Sequence, residues 1–183
     1  MNNVNTRAKY KKEVIPAMKK QFKLSNDREA PQIKKVVVNV GIGKFLKDSS
    51  QIDNISKSLA MITGQKPAIS QAKKSIAGFK IRAGQPVGLK VTLRGQRMWD
   101  FIEKLIKVDL PRVRDFHGIK PSAVDTGGNL NLGIKEHLIF PEILPEEVKN
   151  VFSLEITLVT NARDREKGMA LFKLLGFPIK NKK

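Results

Sequence analysis

From Asn54 to Trp99 the chain runs for 46 residues without a carboxylate, and the same stretch carries nine basic side chains. These are Lys57, Lys66, Lys73, Lys74, Lys80, Arg82, Lys90, Arg94 and Arg97. Ordinary protein surfaces intersperse both signs of charge. A segment that does not must fold with its cations facing outwards and its apolar residues inwards. Residues 1–38 hold ten basic and three acidic side chains, whereas residues 100–147 hold six basic and nine acidic. The formal net charge is +18 over 183 residues. Such an excess of Lys and Arg points to a polyanion, either nucleic acid or an anionic membrane surface. With 40% hydrophobic residues the chain is too apolar for a disordered basic tail.

Several chemistries are excluded by what the chain lacks. It has no cysteine, which removes disulfides, thiolate–metal sites and cysteine catalysis. Its two histidines, His117 and His137, have no partners at metal-ligand spacing, and both read as polar surface or RNA-contacting groups. No apolar run approaches the ~20 residues that span a bilayer, and the N-terminal stretch has no continuous apolar core to act as a secretory signal. A cytoplasmic protein is expected. The glycines of Gly41-Ile42-Gly43 follow a strand-like run, but the third glycine of a dinucleotide fingerprint is absent, since that position is Leu46. Asp125-Thr126-Gly127 matches an aspartic-protease triplet, yet Asp-Thr-Gly-Gly before an alternating strand is also ordinary turn chemistry. The basic N-terminal helix has too thin an apolar face to lie on a membrane. Neither a cofactor nor a small-molecule substrate is expected.

The periodicities alternate between helix and strand. Thr6 to about Lys23 reads as a helix carrying Val14, Ile15 and Met18. Ile33–Val40 reads as a strand, rich in β-branched residues. Ser49 or Ser50 is expected to cap a helix with Ile52, Ile55, Leu59 and Ile62 on its apolar stripe. A loop lies within 66–86, and Arg97–Lys107 reads as a helix with Met98, Trp99, Phe101 and Ile102 as core. Asn129–Ile134 and Val151–Val159 alternate as strands, and Asp164–Leu175 closes the series as a helix. The mixture predicts an α+β fold and a single domain over 1–183. Its mostly antiparallel sheet would carry helices on one face and leave the other as an open basic RNA-binding face.

Val87–Arg94 shows what that open face should look like. Val87, Leu89, Val91 and Leu93 share one side of the strand, while Gly88, Lys90, Thr92 and Arg94 share the other. Same-face side chains recur about every 6.6 Å, twice the strand rise, so Lys90, Thr92 and Arg94 form a row suited to a phosphate backbone. Lys34 and Asn39 are expected to extend it on a neighbouring strand, with Gly88 allowing close approach. Aromatic residues make up only 6% of the chain. That gives no stacking platform for single strands and favours a folded RNA read by backbone and shape.

Longer motifs carry a resemblance. The run LAMITGQKPAISQAKKSIAGFKIRAGQPVGLKVTLRGQRMW from Leu59 to Trp99 is similar to the bacterial-type ribosomal protein five family of the large subunit, the 5S rRNA-binding family. So are VVVNVGIG, PRVRDFHG, GNLNLGIKEHLIFPEI and GMALFKLLGFP, in the same order along the chain. The resemblance implies a non-enzymatic constituent of the large ribosomal subunit, placed in the central protuberance during translation. The implied partners are 5S rRNA, large-subunit rRNA, P-site tRNA and small-subunit ribosomal protein thirteen. By position it implies an rRNA surface of Lys34, Asn39, Gln65, Lys66, Lys90, Thr92 and Arg94. A tRNA-facing loop would carry Lys73, Lys74, Ser75, Lys80 and Arg82 within 73–86. A bridge to the small subunit would involve Arg112, Arg114, Asp115 and His117 within the partner-facing region 109–145. A free-standing RNA chaperone or a nuclease-like enzyme is the competing class. Metal-dependent nuclease chemistry needs a carboxylate cluster that the basic half lacks.

Overall fold

Residues 5–45, 48–79, 81–144, 146, 148 and 150–180 are described by a computed structural model. Five strands, β1 (Ile33–Gly41), β2 (Ala68–Gln71), β3 (Pro86–Leu93), β4 (Leu130–Ile134) and β5 (Leu154–Thr160), form one antiparallel sheet in the order β2-β3-β1-β5-β4. The helices are α1 (Thr6–Lys9), α2 (Ile15–Phe22), α3 (Ser49–Thr63), α4 (Gly95–Lys104) and α5 (Arg165–Leu175). This is the α+β architecture expected from the periodicities. The chain divides into two compact units. One comprises the residues up to Val36, Leu93–Leu132 and the chain from Thr157 onwards; the other comprises Val37–Thr92 and Gly133–Ile156.

In the first unit α1 and α2 are joined by a π-helical turn, Tyr10–Val14. Pro16, which has no N–H to donate, sits in the first turn of α2 just beyond it. The buried residues here include Val14, Met18, Trp99, Phe101, Ile102, Leu171 and Phe172. Tyr10 lies 5.5 Å from Trp99 between ring centroids, and its hydroxyl donates to the Pro31 carbonyl at 3.1 Å. Burial pushes that phenol up to about 12. The Glu103 carboxylate accepts from the Thr6 N–H at 3.1 Å, tying the start of α1 to α4.

The second unit departs from the sequence reading in two places. Asp48, not Ser49 or Ser50, caps α3: its carboxylate accepts from the N–H groups of Ser50 (3.0 Å) and Gln51 (3.3 Å). An anionic cap also complements the positive end of the helix dipole, which a serine hydroxyl cannot do. Ile55, Leu59 and Ile62 are buried as expected, while Ile52 is only half-buried. The last strand starts at Leu154 rather than Val151. The backbone of Phe152 is engaged elsewhere: its carbonyl accepts from the His137 N–H and its own N–H donates to His137 Nδ1.

The Asp-Thr-Gly-Gly segment is a turn. The Asp125 carboxylate accepts from the Asn129 backbone N–H at 2.8 Å and from its side-chain amide at 2.9 Å. Desolvation works to raise the Asp125 pKa, but the hydrogen bonds from Asn129 and from the glycine N–H groups outweigh it and hold the carboxyl below its ordinary value. Within the same turn, Gly128 adopts φ +80° and lies against Gly168 of α5. A Cβ on Gly168 would come within 2.6 Å of the Gly128 Cα and carbonyl oxygen. Backbone cannot yield at that distance. Gly168→Ala is therefore expected to destabilise the protein by at least about 1–3 kcal/mol, as overpacking does. Gly133→Ala, which meets nothing within 4 Å, should leave the midpoint of a urea melt nearly unmoved. Equal midpoints for the two variants would contradict this packing.

Candidate nucleic-acid interface

The two-residue period of β3 separates its side chains as its sequence implies. Leu89, Val91 and Leu93 are buried, while Lys90 and Arg94 are exposed and Thr92 is half-buried. The strand ends at Leu93; Arg94 keeps extended dihedrals (φ −141°, ψ 166°) as the residue preceding α4. On β2, Ala68 pairs with Lys90 and Ser70 with Gly88. Gly88 is buried, and its close approach serves the protein itself. A Cβ there would lie 3.2 Å from the Val40 carbonyl oxygen and 3.8 Å from Asn39 Oδ1 and Ser70 Cβ. Gly88 is thus a seat for the neighbouring strand, not the point of ligand approach expected from sequence.

In the second unit Asn39, Gln65, Lys66, Lys90 and Thr92 fall on β1, on β3 and on the α3–β2 connection. Gln65 Nε2 donates to the Thr92 carbonyl at 3.4 Å, fixing the connection to the strand. Asn39, Lys66 and Lys90 are exposed. Lys34 and Arg94 belong to the first unit, and both are exposed. Lys34 is exposed and the Ile33 before it is buried, so the alternation of Val36, Val38 and Val40 does not run back unbroken to the start of β1. Among the described residues, the side chains of Lys34, Lys66, Lys90 and Arg94 make no hydrogen bond or ion pair within the protein. Their charge is free for an anion. On β5 the same alternation turns Glu155 outwards, where it lines a shallow depression with Asn39, Gly41, Gly133, Lys135 and Ser153. The sequence reading overlooked this carboxylate, although the alternation of 154–160 was its signal.

The 72–85 loop is internally braced. Ala72 and Gly84–Gln85 exchange backbone hydrogen bonds at 2.8 and 2.9 Å, and Ile76 pairs with Ile81. Ser75 Oγ accepts from the Ala83 N–H at 2.9 Å, so this predicted contact residue has a structural task. Lys73, Lys74 and Arg82 are exposed; Lys80 lies outside the described residues. Arg112, Arg114, Asp115 and His117, the expected bridge residues, are all exposed on the irregular stretch after α4.

His137 is not a surface group. It is 1% exposed, its ring stacks on Phe152 at 3.9 Å between centroids, and burial pushes its pKa below 6.5. The ring walls a cavity of ≈ 180 Å³ with Ile55, Met61, Leu144 and Phe152. A histidine whose pKa is lowered by folding binds its proton better in the unfolded chain. Its contribution to stability is intact above the unfolded value of about 6.5 and is lost as pH falls below it towards the folded value. Urea unfolding at pH 7.5 and pH 5.5 is expected to show a loss in the wild type that His137→Phe removes. An identical pH response in the two proteins would contradict the burial.

Two family models match the chain, that of ribosomal protein L5 over residues 26–82 and that of the C-terminus of the same ribosomal family over residues 86–179. A large ribosomal subunit protein uL5 from Rubrobacter xylanophilus is 50% identical over 172 residues, 94% of this chain and 96% of its own length. Its counterpart from Halothermothrix orenii is 49% identical over 93% of this chain and 95% of its own length. That from Thermus aquaticus is 49% identical over 97% and 98% respectively. Matches this long and this even across both halves of the chain leave one assignment: the protein belongs to the ribosomal protein L5 family, whose members are structural, non-enzymatic proteins of the large ribosomal subunit.

Proposed function

We propose that within the large ribosomal subunit this chain acts as one RNA-binding domain that holds 5S rRNA. The observation that carries the reading is that Asn39, Lys66, Lys90 and Arg94 are each exposed and Thr92 half-buried, with no carboxylate in the sequence from residue 54 to residue 99. Lys90 and Arg94 have no partner within the protein among the described residues, so their desolvation on binding breaks no internal pair. Arg94 supplies a planar fork for phosphate and Lys90 a point charge. Asn39 and Thr92 add donors and acceptors for sugar and base edges. Glu155 bounds the cationic area on the β5 side, since phosphates avoid a carboxylate. Lys34, exposed near the start of β1 and without a partner among the described residues, is assigned to rRNA as well.

The remaining partners follow from the other exposed segments. The 73–86 loop, with Lys73, Lys74 and Arg82 exposed, is assigned to P-site tRNA. The acidic balance of 100–147 suits a basic protein, and Arg112, Arg114, Asp115 and His117 are assigned to an inter-subunit bridge with small-subunit protein thirteen. The setting is the central protuberance of a cytoplasmic ribosome.

Filter binding with 5S rRNA tests the reading. If six to ten phosphates are neutralised, affinity should fall roughly 10³–10⁵-fold between 50 and 200 mM salt. Arg94→Ala should weaken binding and reduce the slope of log affinity against log salt by about 1, whereas Lys74→Ala should leave 5S rRNA binding intact. A flat salt response, or equal losses from both variants, would contradict the assignment of the two surfaces.

A further inference from the structure

The most exposed large apolar side chain among the described residues is Phe79, 73% accessible within the 72–85 loop. Ile76 near it in the chain is 48% accessible. An aromatic ring held this far into water gains nothing for folding, and the fold does have apolar space for such rings, as Phe140 and Phe172 are wholly buried. The loop also uses hydrogen bonds to keep its shape: the Ile76–Ile81 pairing, Ser75 Oγ on the Ala83 N–H, and the Arg82 N–H on Gln85 Oε1. The ring therefore stands on a braced support. The same loop carries the exposed cations Lys73, Lys74 and Arg82, and the nearest acidic residues in sequence are Asp53 and Asp100. An exposed apolar ring in a carboxylate-free cationic frame is complementary to a nucleobase face bordered by phosphates.

We propose that Phe79 stacks on an unpaired or stack-terminal base of a folded RNA while Lys73, Lys74 and Arg82 hold the flanking phosphates. The inference rests on the reading of this loop as RNA-facing and deepens it: phosphate neutralisation alone would accept any double helix, whereas a stacking ring selects RNA that offers an open base. Lys90, Thr92 and Arg94 include no aromatic and offer no stacking platform. The loop reads the presence of a splayed base.

The full-length protein is titrated with two probes of equal phosphate count, an RNA hairpin with an unpaired loop and a blunt, fully paired RNA duplex. Phe79→Ala and Phe79→Leu are each expected to weaken hairpin binding roughly 5- to 150-fold, the range seen when a base-stacking aromatic is removed. Phe79→Tyr should retain it, and duplex binding should not change. Phe79→Trp adds a direct reading, because the native Trp99 is 8% exposed and contributes a constant background; the new emission should be quenched by the hairpin and not by the duplex. A Leu variant that matches the wild type on the hairpin, or emission from the Phe79→Trp variant that stays unquenched at saturation, overturns the stacking. A Lys73→Ala/Lys74→Ala double variant separates the two levels. If it weakens hairpin binding while Phe79→Leu does not, the loop meets RNA without stacking; if it too binds as the wild type, the loop does not face RNA and both readings fail.

Discussion

The fold and the interface proposed for it depend together on the two-residue period of β3. One parity of this strand buries Leu89, Val91 and Leu93, and the other exposes Lys90 and half-exposes Thr92, with Arg94 exposed just past its end. Slipping the strand by a single residue would exchange the two sets, putting cations into the core and leucines on the surface. What prevents the slip is local. Gly88 sits where the Val40 carbonyl oxygen of β1 comes close, and Gly88 pairs with Ser70 on β2. A side chain in that seat would press on the Val40 carbonyl oxygen at 3.2 Å, so a glycine suits the close approach of β1 at this register.

Charge supplies the second half of the physics. With +18 formal charges the free chain repels itself, and Lys90 and Arg94 have no partners among the described residues to soften this. The arrangement makes sense for a protein whose counter-charge is external. Several of its carboxylates are used structurally: Asp48 caps α3, Glu103 accepts from Thr6 and Lys107, and Asp125 organises a turn. None of these lies within the 54–99 stretch.

Much of this was legible in the chain because it depends on short-range periodicity. The alternation of β3, the run of valines in β1 and the Ile55–Leu59–Ile62 stripe of α3 each report a buried face directly. What stayed hidden depends on partners distant in sequence. His137 looks polar until Phe152, fifteen residues on, is folded onto its ring. Val151–Ser153 alternates like a strand, yet the same histidine turn takes the Phe152 backbone out of the ladder. That Ser75 also braces its own loop is visible only once Ala83 is folded against its hydroxyl. The resemblance supplied the assignment of Gln65 and Lys66, which no periodicity marks.

The unit that contains α1, α2, α4 and α5 is assembled from three stretches of chain, the last beginning at Thr157. Its core needs Leu171 and Phe172, and its tightest backbone contact needs Gly168. Synthesis runs from the N-terminus, so the first helices emerge long before their packing partners exist. Such distant contacts are closed late and slowly. The newborn protein can therefore set its first helices against α4 midway through translation, but its N-terminal unit stays open on the α5 side until its own last helix arrives to complete it.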